Sequence, residues 1–512
     1  MKNAHRYILV CIIGIFAYMQ QANGQVTNDF PKAVIKMGTA KISGKVNATV
    51  PVENIKSLKL TITVYNPLTG MTVHERTLKL NDTFSFDIPL ECNEAIGALS
   101  LHINDENSGI QVIGLEQNKD LDINMTINSD NKAKFETHGG LDITENEATG
   151  FVKAVTRFNT DYTWNEYHKM THGEYAHYEL EVSLKNRVKS ATDSLGLSNR
   201  IFRYLNDSHN LLYLQSRLFR YKEMAERSFK SANPKDTITK YVAKEPDKSF
   251  YTFLKSFNLN DPRYMYCYTY SDFMKAFLNI KAFHIPEIRD TPVKEWINNV
   301  RSNLQNIIGV NSTLFYEMLA ANSYILQLDY KYEELSNAQI KNIKSFFSTN
   351  NKSIRDILLK RNYELIEKLA RGKNLKINET PMVANSNLMD AIVSKYKGKA
   401  ILVDFWATWC SPCQDAIRSM EVLKKEFTGK DLVFVYITGD TSPEETWRYQ
   451  IKVIGGEQYY LSKEKWSFVT KSLDFNAIPS YLIYKKDGSL AEKIVAFPGT
   501  DKMREVLEKA LY

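Results

Sequence analysis

Cysteine is scarce, with five in 512 residues, so the chain is not a small scaffold stapled by disulfides. Its 43% hydrophobic residues can fill several cores, and the length suggests about three domains. Charge of one sign is also scarce. The formal net charge is +7, and Lys2 and Arg6 lie in a segment expected to be removed, which leaves +5. So weak and scattered an excess gives no argument for nucleic acid as a partner. Beyond the first residues no apolar run reaches the roughly 20 residues of a membrane-spanning helix. The middle of the chain has no glycine-rich phosphate loop, low-complexity linker or convincing internal repeat. Nothing in the sequence implies a cofactor.

What is present begins with MKNAHRYILVCIIGIFAYMQQANGQ: a basic start, an apolar run over about residues 7–19, then Ala22 and Gly24 around Asn23. That pattern predicts a secretory signal peptide over residues 1–24, cleaved before Gln25. Cys11 sits inside the apolar run with no small residue before it and does not read as a lipidated cysteine. The mature chain keeps Cys92, Cys267, Cys410 and Cys413 in an oxidising compartment, the periplasm or cell envelope, where disulfides are permitted. After cleavage nothing argues for attachment to a membrane.

Three regions follow. Over residues 25–140 apolar residues alternate with polar ones, as at Leu60, Ile62, Val64, at Leu99, Leu101, Ile103 and at Leu121, Ile123, Met125, Ile127. Period two, with turn signals such as NPLTG at residues 66–70, predicts antiparallel strands in a sandwich-like all-β domain. Over residues 141–372 the period becomes helical. In IRDILLKRNYELIEKLARG the stripe Ile354, Ile357, Leu358, Leu365, Leu369 ends at Gly372. The aromatic run around Cys267 reads as packed core, and Cys92 and Cys267 as two separate buried thiols. From residue 373 the order is strand, helix, strand, that of an α/β sheet. ILVDFWA and DLVFVYI are buried strands. Residues 414–427 form a helix with Ala416, Met420, Leu423 and Phe427 on one stripe. Ser442-Pro443-Glu444-Glu445 reads as a capping box with proline at the first helical position, and SYLIYKKDGSLAEKIVAF as a hairpin turning at Asp487-Gly488.

The stretch LVDFWATWCSPC, residues 402–413, carries the chemistry. Cys410 falls between a buried strand and the first turn of a helix, where free N–H groups and the helix dipole favour an anion and lower a thiol's pKa. Cys413 is one turn further on, within reach to resolve a mixed disulfide, and Pro412 fixes the backbone between them. The pair reads as a redox couple. A zinc site would need two more ligands, and neither a second cysteine pair nor a suitably spaced histidine lies nearby. A purely structural bridge closing so short a loop would constrain the unfolded chain little.

On these residues the segment resembles the active site of the thioredoxin superfamily, and WATWCSPC is especially similar to the secreted TlpA/ResA-like thiol-disulfide oxidoreductases, over residues 375–512. AIPSYLIYKKDG resembles the family's cis-proline segment. The resemblance implies that Pro479 lies against the cysteines and that the backbone before it pairs with a substrate peptide as an added strand. Trp409, Ser411, Pro412, Ile478 and Pro479 are then substrate-binding positions. Asp404, an acid in an otherwise apolar strand, matches the buried carboxyl that moves a proton to or from the inner cysteine, Cys413. Ser411 stands where thioredoxin has glycine, and the strand end VYITGD lacks thioredoxin's lysine. Larger secreted members of the family also place a β domain ahead of the thioredoxin part.

The reading that follows is a protein-disulfide reductase or isomerase acting on protein substrates with cysteines or disulfides, its electrons supplied by a membrane partner. The alternative is a binding or scaffold protein whose thioredoxin-like part only docks.

Overall fold

The computed structural model describes residues 30–49, 55–104, 106–141, 143–160, 165–236, 238–239, 241–348 and 351–512. The signal-peptide expectation for residues 1–24 lies outside them. Among the described residues no helix is long and apolar enough to cross a membrane. The chain divides into two compact units, residues 1–285 with 301–316, and residues 286–300 with 317–512.

In the first unit the alternating segments form strands β1 (Ile35–Ala48), β2 (Leu58–Asn66), β3 (Gly70–Leu78), β4 (Thr83–Cys92), β5 (Glu94–Ile103), β6 (Glu106–Glu116), β7 (Asp120–Ile127) and β8 (Ala133–Gly139). They make two four-stranded sheets, ordered β4-β1-β7-β8 and β3-β2-β5-β6. Apolar residues from both sheets form one core, to which β2 gives Leu60, Ile62 and Val64, β5 gives Leu99 and Leu101, and β7 gives Leu121, Ile123 and Met125. Period two thus located the inward faces correctly. It did not reveal partner direction: β1 pairs antiparallel with β4 but parallel with β7, so the expected purely antiparallel set is corrected on this point. The region is β-rich, but its two sheets are not clearly the sandwich expected. The turn at residues 66–70 is held by the Glu91 carboxylate, which accepts from the Leu68 and Thr69 amides at 2.8 and 3.3 Å.

Helices follow, beginning with α1 (Glu145–Thr160). The aromatic run around Cys267 is buried as expected, with Tyr264, Met265, Tyr266 and Tyr270. Cys92 and Cys267 are both buried thiols outside any disulfide.

The second unit contains the six-stranded sheet β14-β13-β10-β11-β12-β9, from β9 (Lys376–Asn378), β10 (Ala400–Phe405), β11 (Leu432–Gly439), β12 (Glu457–Leu461), β13 (Ser480–Tyr484) and β14 (Leu490–Val495). β9, β12, β11 and β10 run parallel in sequence across the sheet, and the β13–β14 hairpin completes it antiparallel. All six residues of β10 are buried, as a central strand covered on both faces requires. Two apolar cores, one per face, lie entirely within residues 375–511. The helix expected at 414–427 bends into two, α2 (Ser411–Ser419) and α3 (Glu421–Glu426), about Met420, yet Ala416, Met420, Leu423 and Phe427 all stay buried.

Candidate functional site

Strand β10 ends at Phe405, and the next five residues, 406–410, cross from the sheet into α2. Three hydroxyl contacts, two of them buried, hold this crossing. The Thr408 amide donates to Ser442 Oγ at 3.0 Å, Ser442 Oγ and Thr438 Oγ1 lie 2.8 Å apart, and Tyr460 OH donates to the Ser442 carbonyl at 2.6 Å. This corrects the capping-box reading of residues 442–445. The helix there (Glu444–Ile454) has Pro443 at its N-cap without a side-chain cap, because the Ser442 hydroxyl turns inward to the cysteine-bearing loop. Glu444 and Glu445 still complement the dipole of the first turn.

Cys410 is the N-cap residue of α2 and is joined to Cys413 by a disulfide, with Cα atoms 5.3 Å apart. The Cys413 amide lies 3.2 Å from Cys410 Sγ and points at it. The sulfur therefore occupies the place a capping oxygen usually fills, where a thiolate gains from the free amides and the dipole. Cys410 is 4% exposed and Cys413 fully buried. Trp409 beside them is 62% exposed, its indole N–H donating to Thr441 Oγ1 at 3.3 Å. Ser411 and Pro412 are also exposed. The Ile478–Pro479 peptide is cis, and the Ile478 carbonyl oxygen lies 3.7 Å from Cys410 Sγ. The fold thus brings together Trp409, Cys410, Ser411, Pro412, Cys413, Ile478 and Pro479, although some 65 residues separate the two segments in the chain.

Asp404 stands beneath, fully buried in the central strand rather than at a wet sheet edge. The register places it between Tyr436 of β11 and Tyr481 of β13. By alternation it shares a face with Leu402 and Trp406, which belong to the core that also contains Cys410 and Cys413. No protein group lies within hydrogen-bonding distance of its carboxyl oxygens or of the two tyrosine hydroxyls among the described residues. Burial pushes the Asp404 carboxyl up to about 8, and the Lys424 ammonium opposes the rise. Lys424 itself is pushed down to about 8, chiefly by burial. Its Nζ donates to the Ile454 carbonyl at 2.8 Å and sits 4.6 Å from the centre of the Tyr436 ring. The cation absent from the VYITGD strand end is thus supplied by α3. Sequence reasoning missed Lys424 and read Ser442 only as a helix cap. Lys424 falls four residues after Met420, on the border of the apolar stripe, and that position was the available signal.

Residues 398–490 match the family model described as thioredoxin-like, and they form a thioredoxin-like domain. A thioredoxin from Staphylococcus aureus is 29% identical over 119 residues, covering 23% of this chain and 88% of that protein. Similar solved structures include the thioredoxin domain of a thiol-disulfide oxidoreductase from Bacteroides vulgatus, 22% identical over 23% of this chain and 84% of that one, with a TM-score of 0.21. Another is the pneumococcal exposed lipoprotein thioredoxin of Streptococcus pneumoniae, 22% identical over 23% and 89%, with a TM-score of 0.20.

Proposed function

We propose that the chain is an exported thiol-disulfide oxidoreductase of the TlpA/ResA-like kind, a reductase or isomerase of protein disulfides in the cell envelope. The observation that carries this reading is the Cys410–Cys413 bridge at the start of α2, facing the carbonyl before cis-Pro479. In the reduced protein the Cys410 thiolate attacks one sulfur of a substrate disulfide. A mixed disulfide forms and the other substrate sulfur leaves as thiolate. Cys413, giving up its proton, then attacks Cys410 Sγ, which restores the internal bridge and frees the second substrate thiol. Two electrons pass to the substrate, and a membrane donor returns them. Asp404 is the proposed proton acceptor for Cys413, since a carboxyl titrating near neutrality can both take and give that proton. Exposed Trp409, Ser411 and Pro412, with half-buried Ile478 beside them, form the rim on which an extended substrate segment docks.

The test is insulin reduction by the purified chain with a dithiol donor. Cys410→Ser is expected to abolish turnover and to trap nothing. Cys413→Ser is expected to accumulate a mixed disulfide. Full activity in Cys410→Ser, or trapping by Cys410→Ser but not Cys413→Ser, would overturn the assignment; a chain without reductase activity in any form would leave the docking-module reading in its place.

A further inference from the structure

The thioredoxin-like domain has a second concave place, a cavity of about 530 Å³ at the end of the sheet away from the cysteines. Leu432 starts β11 there and pairs with Ala400, the first residue of β10, whereas the cysteine loop follows that strand's last residue. Leu432, Phe434 and Ile454 pack on the same apolar core as Cys410 and Cys413, yet they stay half-buried, and all three line the cavity. The core is therefore left open on this side, with apolar surface that the chain itself does not cover.

Four lysines line the same space, Lys399, Lys424, Lys425 and Lys430, and none of them forms an ion pair among the described residues. Lys399, Lys425 and Lys430 are exposed at the rim, the last lying over the Phe427 ring at 4.5 Å. Lys424 is the deep one. Its ammonium has three N–H donors, of which the Ile454 carbonyl takes one at 2.8 Å, and it sits 4.6 Å from the centre of the Tyr436 ring. Two carboxylates also line the cavity. Glu457 is engaged from other directions, accepting from Asn378 Nδ2 at 2.8 Å and from the Tyr396 hydroxyl at 2.9 Å. Glu421 favours the charged form of Lys424 from one turn away on α3 without pairing with it.

We propose that this cavity binds an amphiphilic carboxylate, its hydrocarbon part against Leu432, Phe434 and Ile454 and its carboxylate on Lys424. The volume falls in the roughly 300–1,000 Å³ range of pockets that enclose small organic molecules, and the lining has their make-up of apolar walls with a few convergent polar groups. A carboxylate accepts the N–H donors that the Ile454 carbonyl leaves over, and a charge-assisted bond of this kind is stronger than a neutral one. Burial, which lowers Lys424 to about 8, costs its ammonium hydration that an anionic partner replaces. The three rim lysines attract the anion on its way in. The site is separate from the cysteine pair and does not rest on the redox reading.

The experiment is calorimetric titration of the full chain with octanoate at constant ionic strength. Two controls separate the halves of the ligand: 1-octanol has the chain without the charge, and acetate the charge without the chain. Saturable binding of one octanoate per chain is expected, with octanol and acetate each at least about tenfold weaker. Lys424→Met keeps the aliphatic stem and removes the ammonium, so it should weaken octanoate binding at least about tenfold and leave octanol unchanged. The double variant Lys425→Gln/Lys430→Gln alters only exposed side chains and serves even where Lys424→Met does not fold; it should weaken octanoate binding about threefold through lost long-range attraction. Absence of saturable octanoate binding would overturn the proposal. So would octanol or acetate binding as tightly as octanoate, or octanoate binding unchanged in a folded Lys424→Met or in the double variant.

Discussion

Asp404 shows how one residue's environment sets its chemistry. In the unfolded chain an aspartate titrates near ~3.9, whereas burial raises this one to about 8 in the fold. Below pH ~4 both states hold the proton, and the raised value costs nothing. Between about pH 4 and 8 the unfolded chain ionises while the folded one stays protonated, so stability falls by ~1.4 kcal/mol per pH unit. Asp404→Asn removes that penalty. Its melting temperature should exceed that of the parent by a margin that widens from about pH 5 to about pH 8; a margin constant across the range would mean that Asp404 does not titrate there. Activity should move the other way. If Asp404 takes the Cys413 proton, the variant should release its mixed disulfide more slowly near neutral pH and recover at high pH, where Cys413 ionises unaided. The Cys410 thiol, held at the N-cap, should titrate below the ~8.5 of a free cysteine, so alkylation of the reduced protein at slightly acidic pH should label Cys410 well before Cys413.

At the scale of elements, the strand, turn and helix around the cysteines were legible because each carries its own signal. ILVDFWA is apolar throughout, Cys410 precedes a proline-containing first turn, and Asp487-Gly488 closes a hairpin in which Gly488 has φ +86° and Ser489 donates to Asp487 Oδ1. What was not legible depended on which side chains meet across elements. Ser442 had two uses open to it, capping its own helix or turning inward, and only the packed neighbours Thr408 and Thr438 decide between them. Likewise the parallel pairing of β1 with β7 leaves no trace in alternation, which reports faces and not partners. The inward role of Ser442 makes a prediction. Ser442→Ala leaves the buried Thr408 amide without its acceptor, which should cost about 1–3 kcal/mol. Because that amide fixes the loop ahead of Trp409 and Cys410, insulin reduction should fall as well. A stability loss with unchanged activity would confine Ser442 to the scaffold.

For the molecule as a whole, the question is how far the thioredoxin-like part depends on the helices before it. Both of its cores draw on residues 375–511 alone, and every strand of its sheet lies between Lys376 and Val495. Residues 375–512 should therefore fold by themselves and melt cooperatively; a fragment without a cooperative transition by circular dichroism would refute this. The helix Lys352–Arg371 nevertheless packs against Glu444–Ile454 in the same unit. Lys452 also ties Glu444–Ile454 to the segment after Leu326–Tyr330, donating to the Lys331 carbonyl at 3.3 Å and approaching Glu333 at 3.8 Å. The backbones come close at Gly372, where an added Cβ would meet the Lys452 carbonyl oxygen at 2.1 Å. That oxygen belongs to the helix backbone and cannot swing aside as a side chain would. Gly372→Ala must therefore push the two helices apart, at a cost of about 1–3 kcal/mol for overpacking. The intact chain carrying it should melt at a lower temperature while reducing insulin at the parental rate, since Glu444–Ile454 is anchored in the core through Trp447 and Ile451 and the shift then falls on the preceding helix. If activity fell in step with stability, the preceding helices would be part of the catalytic body.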